Sequence, residues 1–186
     1  MSTAPTVARI MTRLVMTTSP DARVDQAARL LREWHVSGLP VIDEDGRVVG
    51  VISEKDIVRD LHKAAGVGAP RGLLDLLLES SPAKGENILA VCRNRLRNTR
   101  VREVMTKEVA TVGPDTSLIE SARLMKVNGV NRLPVVDKQE RLVGIVTRAD
   151  IVKDLSRTPP RARGSLHPSP VPTRTGTRPS DQFTDI

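Results

Sequence analysis

Two short segments of the chain place a hydroxyl and a carboxylate where a predicted strand passes into a predicted helix. They are residues 50–56 and 144–150, and both have the form G-h-h-[ST]-x-x-D, in which h is apolar. A helix N-terminus favours a phosphate, because it offers free N–H groups and the positive end of the helix dipole. The hydroxyl of Ser53 or Thr147 adds a donor, and a carboxylate one turn later can accept from the two vicinal hydroxyls of a ribose. A phosphate and a ribose together indicate a nucleotide.

The same residues also fit a purely structural role. Ser53 with Asp56, and Thr147 with Asp150, each resemble a capping box in which aspartate replaces glutamate. Such a cap satisfies the backbone of the first helical turn and binds no ligand. A single copy of the motif would favour the cap. Because the chain has two copies, both interpretations stay open at this point.

The motif occurs twice because the chain contains an internal repeat. Residues 7–61 and 101–155 align without a gap at a constant offset, and about 23 of the 55 aligned pairs are identical. A unit of this length cannot bury its apolar face alone. We therefore expect the two repeats to dock through a pseudo-two-fold axis, with the functional clefts between them.

Each repeat predicts the element order β-α-β-β-α, and the fold class is α+β. Apolar residues at three- and four-residue spacing indicate the helices, and short apolar runs next to turn residues indicate the strands. The predicted elements are a short amphipathic turn (7–11 and 101–105), a brief strand (14–17 and 109–112), a helix (24–35 and 118–128), two strands joined by a hairpin turn (39–42 with 48–52, and 133–136 with 142–146) and a final helix (54–62 and 148–155).

Four segments follow from this pattern: repeat 1 (1–61), a helical insert (62–100), repeat 2 (101–155) and a tail (156–186). The net charge of +7 lies outside the repeats, since the insert has 7 basic and 3 acidic residues and the tail 5 and 2. A helix is predicted from Glu86 to Leu96, packed on its own domain. The tail contains six of the thirteen prolines and few apolar residues, which predicts disorder.

Several classes of function are disfavoured by what the chain contains. Cys92 is the only cysteine, so no disulfide framework or thiolate metal cluster is expected, and the three histidines show no metal-ligand spacing. No apolar run is long enough to span a bilayer, which predicts a cytoplasmic protein without a membrane partner. No nucleophile stands beside a base, and we do not expect an enzyme.

The repeats resemble a tandem cystathionine-β-synthase (CBS) domain pair of the stand-alone bacterial or archaeal type. The resemblance rests on the paired units, the Met-Thr dipeptides at 11–12 and 105–106, the Leu-Pro-Val strands at 39–41 and 133–135, and the motifs at 50–56 and 144–150. It implies a regulatory module that binds AMP, ADP, ATP, S-adenosylmethionine or NAD in clefts between the repeats. It also implies a homodimer that signals to an unknown effector protein and requires no cofactor.

The resemblance assigns roles to individual residues. The two motif aspartates would bind ribose, the Ser and Thr hydroxyls would face phosphate, and the segments before and within the first long strand would hold adenine beside Leu39 or Leu133. The implied ligand-binding residues are Val15, Thr17, Ser37, Gly38, Leu39, Pro40, Ser53 and Asp56 in the first repeat, and Val109, Thr111, Asn131, Arg132, Leu133, Pro134, Thr147, Arg148 and Asp150 in the second.

The two copies differ in charge. The second has Asn131-Arg132 and Arg148 where the first has Ser37-Gly38 and Glu54. Because arginine binds phosphate through a planar fork of donors, we predict that the second cleft takes the more phosphorylated ligand. Alternatively, both arginines are ordinary surface residues.

A second hypothesis is a dimerising interaction protein whose basic segments contact nucleic acid or a protein partner. The location of the charge permits it. The chain has only two aromatic residues, Trp34 and Phe183, and therefore few side chains on which bases could stack, which weakens this alternative.

Overall fold

The computed structural model describes residues 5–65 and 86–157. Each repeat contributes a one-turn helix, a longer helix, an antiparallel strand pair and a final helix, and a further helix lies between the repeats. The elements are α1 (Val7–Ile10), α2 (Val24–Glu33), β1 (Gly38–Ile42), β2 (Val48–Ser53), α3 (Glu54–Ala65), α4 (Glu86–Asn98), α5 (Val101–Val104), α6 (Leu118–Val127), β3 (Arg132–Val136), β4 (Leu142–Thr147) and α7 (Arg148–Arg157).

The brief strands predicted at 14–17 and 109–112 are absent, and this prediction was wrong. In their place a single residue makes a parallel bridge in each repeat: Thr18, just after the first range, beside Val41, and Val112 beside Val135. The Thr18 N–H donates to the Pro40 carbonyl, and the Thr18 carbonyl accepts from Ile42. The next bond along this ladder would need an N–H on Pro40, which proline lacks, and Pro134 has the same effect in the second repeat.

The predicted hairpins are present in both repeats, as β1 with β2 and β3 with β4, with the same register and a matching irregularity near one end. The turns differ in sequence, because Gly46 has a positive φ of 80° where the second repeat has Glu140 at 63°. Asp43 and Asp137 stabilise the turns alike: the Oδ1 atom of each accepts two backbone N–H groups.

The two hairpins meet across the predicted pseudo-two-fold axis. The Leu142 N–H donates to the Gly46 carbonyl at 3.0 Å, and the Val48 N–H donates to the Glu140 carbonyl at 3.4 Å. Gly46 is equivalent to Glu140, and Val48 to Leu142, so the pair of bonds exchanges equivalent partners.

Each repeat is completed by a segment of the other. We call residues 7–12 and 101–106 the Met-Thr segments. Thr12 exchanges two backbone hydrogen bonds with Ile145 of β4, and Thr106 exchanges two with Val51 of β2. The side chains of each segment pack in the core of the opposite repeat. Val101 and Val104 lie in the core of the first repeat, and Val7 and Met11 lie in that of the second. The structural cores therefore combine parts of both sequence repeats.

Helix α4 packs on α2 and α3 of the first repeat. Cys92 and Leu96 join that core, and burial raises the pKa of the Cys92 thiol. Arg95 binds Asp60 through two hydrogen bonds of 2.9 Å.

Helix α7 of the second repeat presents Leu155 to the surface with 60% exposure, whereas the equivalent Leu61 is fully buried. Ser156 and Arg157, which were assigned to the tail, belong to α7. Residues 66–85 and 158–186 lie outside the described residues, and so does the predicted disorder of the tail.

Replacing Gly50 by alanine is expected to lower the free energy of unfolding by about 1–3 kcal/mol, as overpacking does. A Cβ there would lie 2.5 Å from Met105 Sδ and 3.1 Å from the Thr106 carbonyl oxygen. The Met-Thr segment of the other repeat would have to shift, and urea denaturation measures the resulting loss in the free energy of unfolding.

The matched control is Gly113→Ala, because the nearest atom to a Cβ at Gly113 is Thr116 Oγ1 at 3.8 Å. Its free energy of unfolding should stay unchanged or rise slightly. Equal losses at positions 50 and 113 would contradict the close docking of the segment.

Candidate functional site

The two motifs form the junctions of β2 with α3 and of β4 with α7, and both make the predicted cap. Asp56 Oδ2 accepts from the Ser53 N–H at 3.0 Å and from the Ser53 hydroxyl at 2.5 Å. Asp150 Oδ2 accepts from the Thr147 N–H at 2.9 Å and from the Thr147 hydroxyl at 2.6 Å. In return, each hydroxyl oxygen accepts from the aspartate N–H. The capping interpretation is therefore correct, and it uses one carboxylate oxygen of each aspartate.

The second carboxylate oxygen distinguishes the two repeats. Asp56 Oδ1 accepts from Arg59 Nη2 at 2.7 Å and from Thr106 Oγ1 at 3.3 Å, and Asp56 is only 6% exposed. Asp150 is less buried, and its Oδ1 has no hydrogen-bond partner within residues 5–65 and 86–157. Lys153 stands at the position of Arg59 and makes no ion pair with Asp150 in that part of the chain.

A carboxylate has about four acceptor positions, two on each oxygen. The cap uses two of them in both repeats. Arg59 and Thr106 use the remaining two at Asp56, whereas both remain available at Asp150. Two vicinal hydroxyls of a ribose would require two acceptor positions, and among the two motif aspartates Asp150 offers them.

Four residues predicted for the second cleft lie together along one groove. Asn131, Arg132, Thr147 and Arg148 line it with the first two turns of α7, and its volume is about 840 Å³. A smaller hollow of about 290 Å³ is lined by Asp150 and Arg9, and Lys153 lines both spaces. The structure thus brings the phosphate-facing and ribose-facing candidates of the second repeat to neighbouring surfaces.

The adenine-flanking residues are placed less favourably. Leu39 and Leu133 are fully buried in the two cores, so neither side chain faces a cleft. Their strands are buried on both faces near this point, and this is why an aliphatic residue here packs inward. Gly38 and the two prolines are also buried. Five other predicted wall residues are at least partly exposed: Val15, Thr17, Ser37, Val109 and Thr111.

Arg132 reaches from the second repeat to the first. Its Nη1 donates to the Gly38 carbonyl at 3.0 Å, and its Nη2 contacts the Ser37 hydroxyl. Burial lowers the pKa of the Arg132 guanidinium, and the nearby Glu54 carboxylate opposes this shift. Arg148 is exposed at the N-terminus of α7, and its N–H donates to the Asn131 carbonyl at 2.9 Å. The two arginines predicted to bind phosphate are therefore in different environments.

Sequence reasoning missed three residues that bear on the site: Arg59, Thr106 and Lys153. Arg59 and Lys153 occupy equivalent positions, so the aligned repeats carried a signal for their difference. Thr106 marked the repeat, but its contact with Asp56 spans 50 positions of the chain.

The described residues contain no group of three or more His, Cys, Asp or Glu side chains arranged to hold a metal ion. Among the same residues, no helix has the length and apolar character needed to cross a membrane.

The similarity to known proteins lies in the two repeats. The family model described as "CBS domain" matches twice, at residues 7–63 and 101–157. The uncharacterized protein MJ1426 of Methanocaldococcus jannaschii is 40% identical over 134 residues, which cover 68% of this chain and 77% of that protein. Some curated relatives are longer, and the chain spans only 21% of one of them, an inosine-5′-monophosphate dehydrogenase of the same organism.

Two solved structures of similar fold contain adenosine compounds. CBSX2 of Arabidopsis thaliana in complex with AMP is 31% identical with a TM-score of 0.58, covering 81% of this chain and 96% of that one. The CBS domain pair of protein MJ0100 in complex with 5′-methylthioadenosine and S-adenosyl-L-methionine is 25% identical with a TM-score of 0.60, covering 82% and 97%.

Removing each motif carboxylate should destabilise the ligand-free protein unequally. Asp56→Ala leaves the donors of Ser53, Arg59 and Thr106 without their acceptor and is expected to cost about 2–3 kcal/mol. Asp150→Ala removes a cap alone and should cost about 1 kcal/mol. Urea denaturation of both variants measures the difference, and equal losses would contradict the separate roles of the two carboxylates.

Proposed function

Because this chain belongs to the CBS-domain family and carries a pair of CBS domains, we propose that it is a regulatory module that binds an adenosine-containing ligand. The ligand occupies the cleft of the second repeat and changes the geometry of the pair. The role is one of binding rather than catalysis. The candidate ligands are AMP, ADP, ATP, S-adenosylmethionine and NAD.

The observation that carries the proposal is the state of Asp150. Its Oδ2 is held by the Thr147 cap, which fixes the carboxylate at the N-terminus of α7, and its Oδ1 faces no donor among the described residues. A carboxylate held in place with two acceptor positions available suits the vicinal diol of a ribose. Binding then costs little side-chain ordering, because the cap has already ordered the aspartate.

The phosphate end of the ligand would lie along the larger groove. The positive end of the α7 helix dipole favours an anion there. Arg148 and Lys153 add positive charge along the groove, and Thr147 lies at its edge. The prediction that this cleft takes the more phosphorylated ligand rests on these groups.

The similar structures support an adenosine ligand at the level of its shared chemistry. CBSX2 was solved with AMP, and MJ0100 with 5′-methylthioadenosine and S-adenosyl-L-methionine. These three compounds have the adenosine unit in common, and only AMP has a phosphate. A ribose-binding carboxylate is therefore the feature that we carry over to this chain, at Asp150.

The signal would pass through the contact between α7 and the first Met-Thr segment. Arg9 of α1 binds Asp154 of α7 at 3.2 Å, and both line the hollow beside Asp150. A ligand that displaces Arg9 or shifts α7 would move α1, which is continuous with the first repeat. The effector protein and the homodimer remain predictions, and the exposed Val152 and Leu155 of α7 support a partner on that helix.

Asp150→Ala is expected to weaken the binding of an adenosine ligand by about 1–3 kcal/mol, roughly 5- to 150-fold, because a charged acceptor of two hydroxyls is lost. Isothermal titration calorimetry with AMP, ADP, ATP, S-adenosylmethionine and NAD measures the effect. Asp150→Asn provides a variant of equal size that keeps one acceptor oxygen.

The control is Asp115→Ala, which removes an exposed carboxylate of the same repeat outside the motif. It should leave the dissociation constant unchanged. An absence of binding across the five compounds, with the wild-type protein folded, would overturn the proposed function. Binding that is unaffected by Asp150→Ala would overturn the assignment of the site.

A further inference from the structure

We propose that the first cleft is closed by Arg59 and Arg132, so that the chain binds one adenosine ligand, in the second cleft. The inference rests on the proposed function and deepens it, because it names the residues that decide which of two homologous clefts accepts the ribose. It also separates the two aspartates of the repeated motif into one structural and one ligand-binding group.

The first closure acts on the carboxylate. Arg59 Nη2 lies 2.7 Å from Asp56 Oδ1, and Thr106 Oγ1 adds a second bond to the same atom at 3.3 Å. Together with the cap, these donors occupy all four acceptor positions of Asp56. A ribose could bind there only by breaking the charge-assisted bond to Arg59, and Asp56 is only 6% exposed.

The second closure acts on the wall of the same cleft. Arg132 donates to the Gly38 carbonyl and contacts the Ser37 hydroxyl. Both partners belong to the segment expected to hold adenine in the first repeat. The guanidinium therefore already binds two polar groups of the wall that a ligand in this cleft would face.

The equivalent positions of the second repeat lack both closures. Lys153 stands at the position equivalent to Arg59, and Thr12 at the position equivalent to Thr106. Neither binds Asp150 within the described part of the chain. Position 38, which is equivalent to Arg132, is a glycine and has no side chain with which to reach the wall at Asn131. Two sequence differences between the repeats thus open one cleft and close the other.

The reciprocal test transfers the closure to the second cleft. Lys153→Arg keeps the positive charge but supplies the donor geometry of Arg59, and Lys153 is exposed, so folding should not suffer. The affinity for AMP, ATP and S-adenosylmethionine should fall by about tenfold or more, because a charge-assisted bond must first be broken. Lys126→Arg, an exposed lysine on α6, is the matched control and should change nothing.

The opening test uses a protein whose second cleft has been disabled. In an Asp150→Ala background, Arg59→Ala with Arg132→Gln should restore binding of the same three compounds at one ligand per chain. Arg59 is half exposed, and after its removal the buried Asp56 carboxylate keeps its bonds to Ser53 and Thr106. Adding Asp56→Asn to this variant should weaken the restored binding again.

The stoichiometry measured by equilibrium dialysis separates the possible outcomes. One ligand per wild-type chain, with reduced affinity in Lys153→Arg and restored binding in the opened variant, supports the inference. Two ligands per wild-type chain, or an unchanged Lys153→Arg, would overturn it and leave the proposed function intact. No binding of any of the five candidate compounds by the wild-type protein would overturn both.

Discussion

The reciprocal backbone pairing of Thr12 with Ile145 and of Thr106 with Val51 is the contact on which the rest of this structure depends. Each repeat is too small to bury its own apolar face, and each receives a one-turn helix and an extended residue from the other. The cores are completed only when both exchanges are made. The glycines that precede Val51 and Ile145 in the strands permit this approach, since a side chain there would meet a methionine of the opposite segment. The clefts are therefore properties of the pair, and neither repeat could form one alone.

The helix cap uses only one of the two oxygens of each motif carboxylate, which leaves the other oxygen for a second role. In both repeats Oδ2 caps the helix, and this orders the side chain before any ligand arrives. The cap and the ribose would therefore not compete, since the ribose requires Oδ1. At Asp56 that oxygen is used inside the protein by Arg59 and Thr106. At Asp150 it is available, which makes the same motif structural in one copy and a candidate binding group in the other.

The two copies differ in more than their carboxylates. Helix α4 covers the helical face of the first repeat and buries Leu61, whereas Leu155 at the equivalent position is 60% exposed. Arg132 extends from the second repeat into the wall of the first, and Gly38 cannot do the reverse. The first repeat is thus the more enclosed of the two, through its linker helix, its saturated aspartate and the arginine it receives. The second keeps an open groove and two exposed apolar side chains on α7, Val152 and Leu155.

The sequence by itself determined the repeat, the helices and hairpins, and the motif at each strand-to-helix junction. These features are local, and periodicity, turn residues and capping spacing act over a few positions of the chain. The tertiary structure alone decided that the Met-Thr segments exchange partners, that Leu39 and Leu133 point into cores, and that Thr106 and Arg132 act on the opposite repeat. Even the lost strand at 14–17 depended on Pro40, more than twenty positions away, because its missing N–H ends the ladder. Contacts between residues far apart in sequence depend on how the two repeats dock, and no local pattern of residues encodes that arrangement.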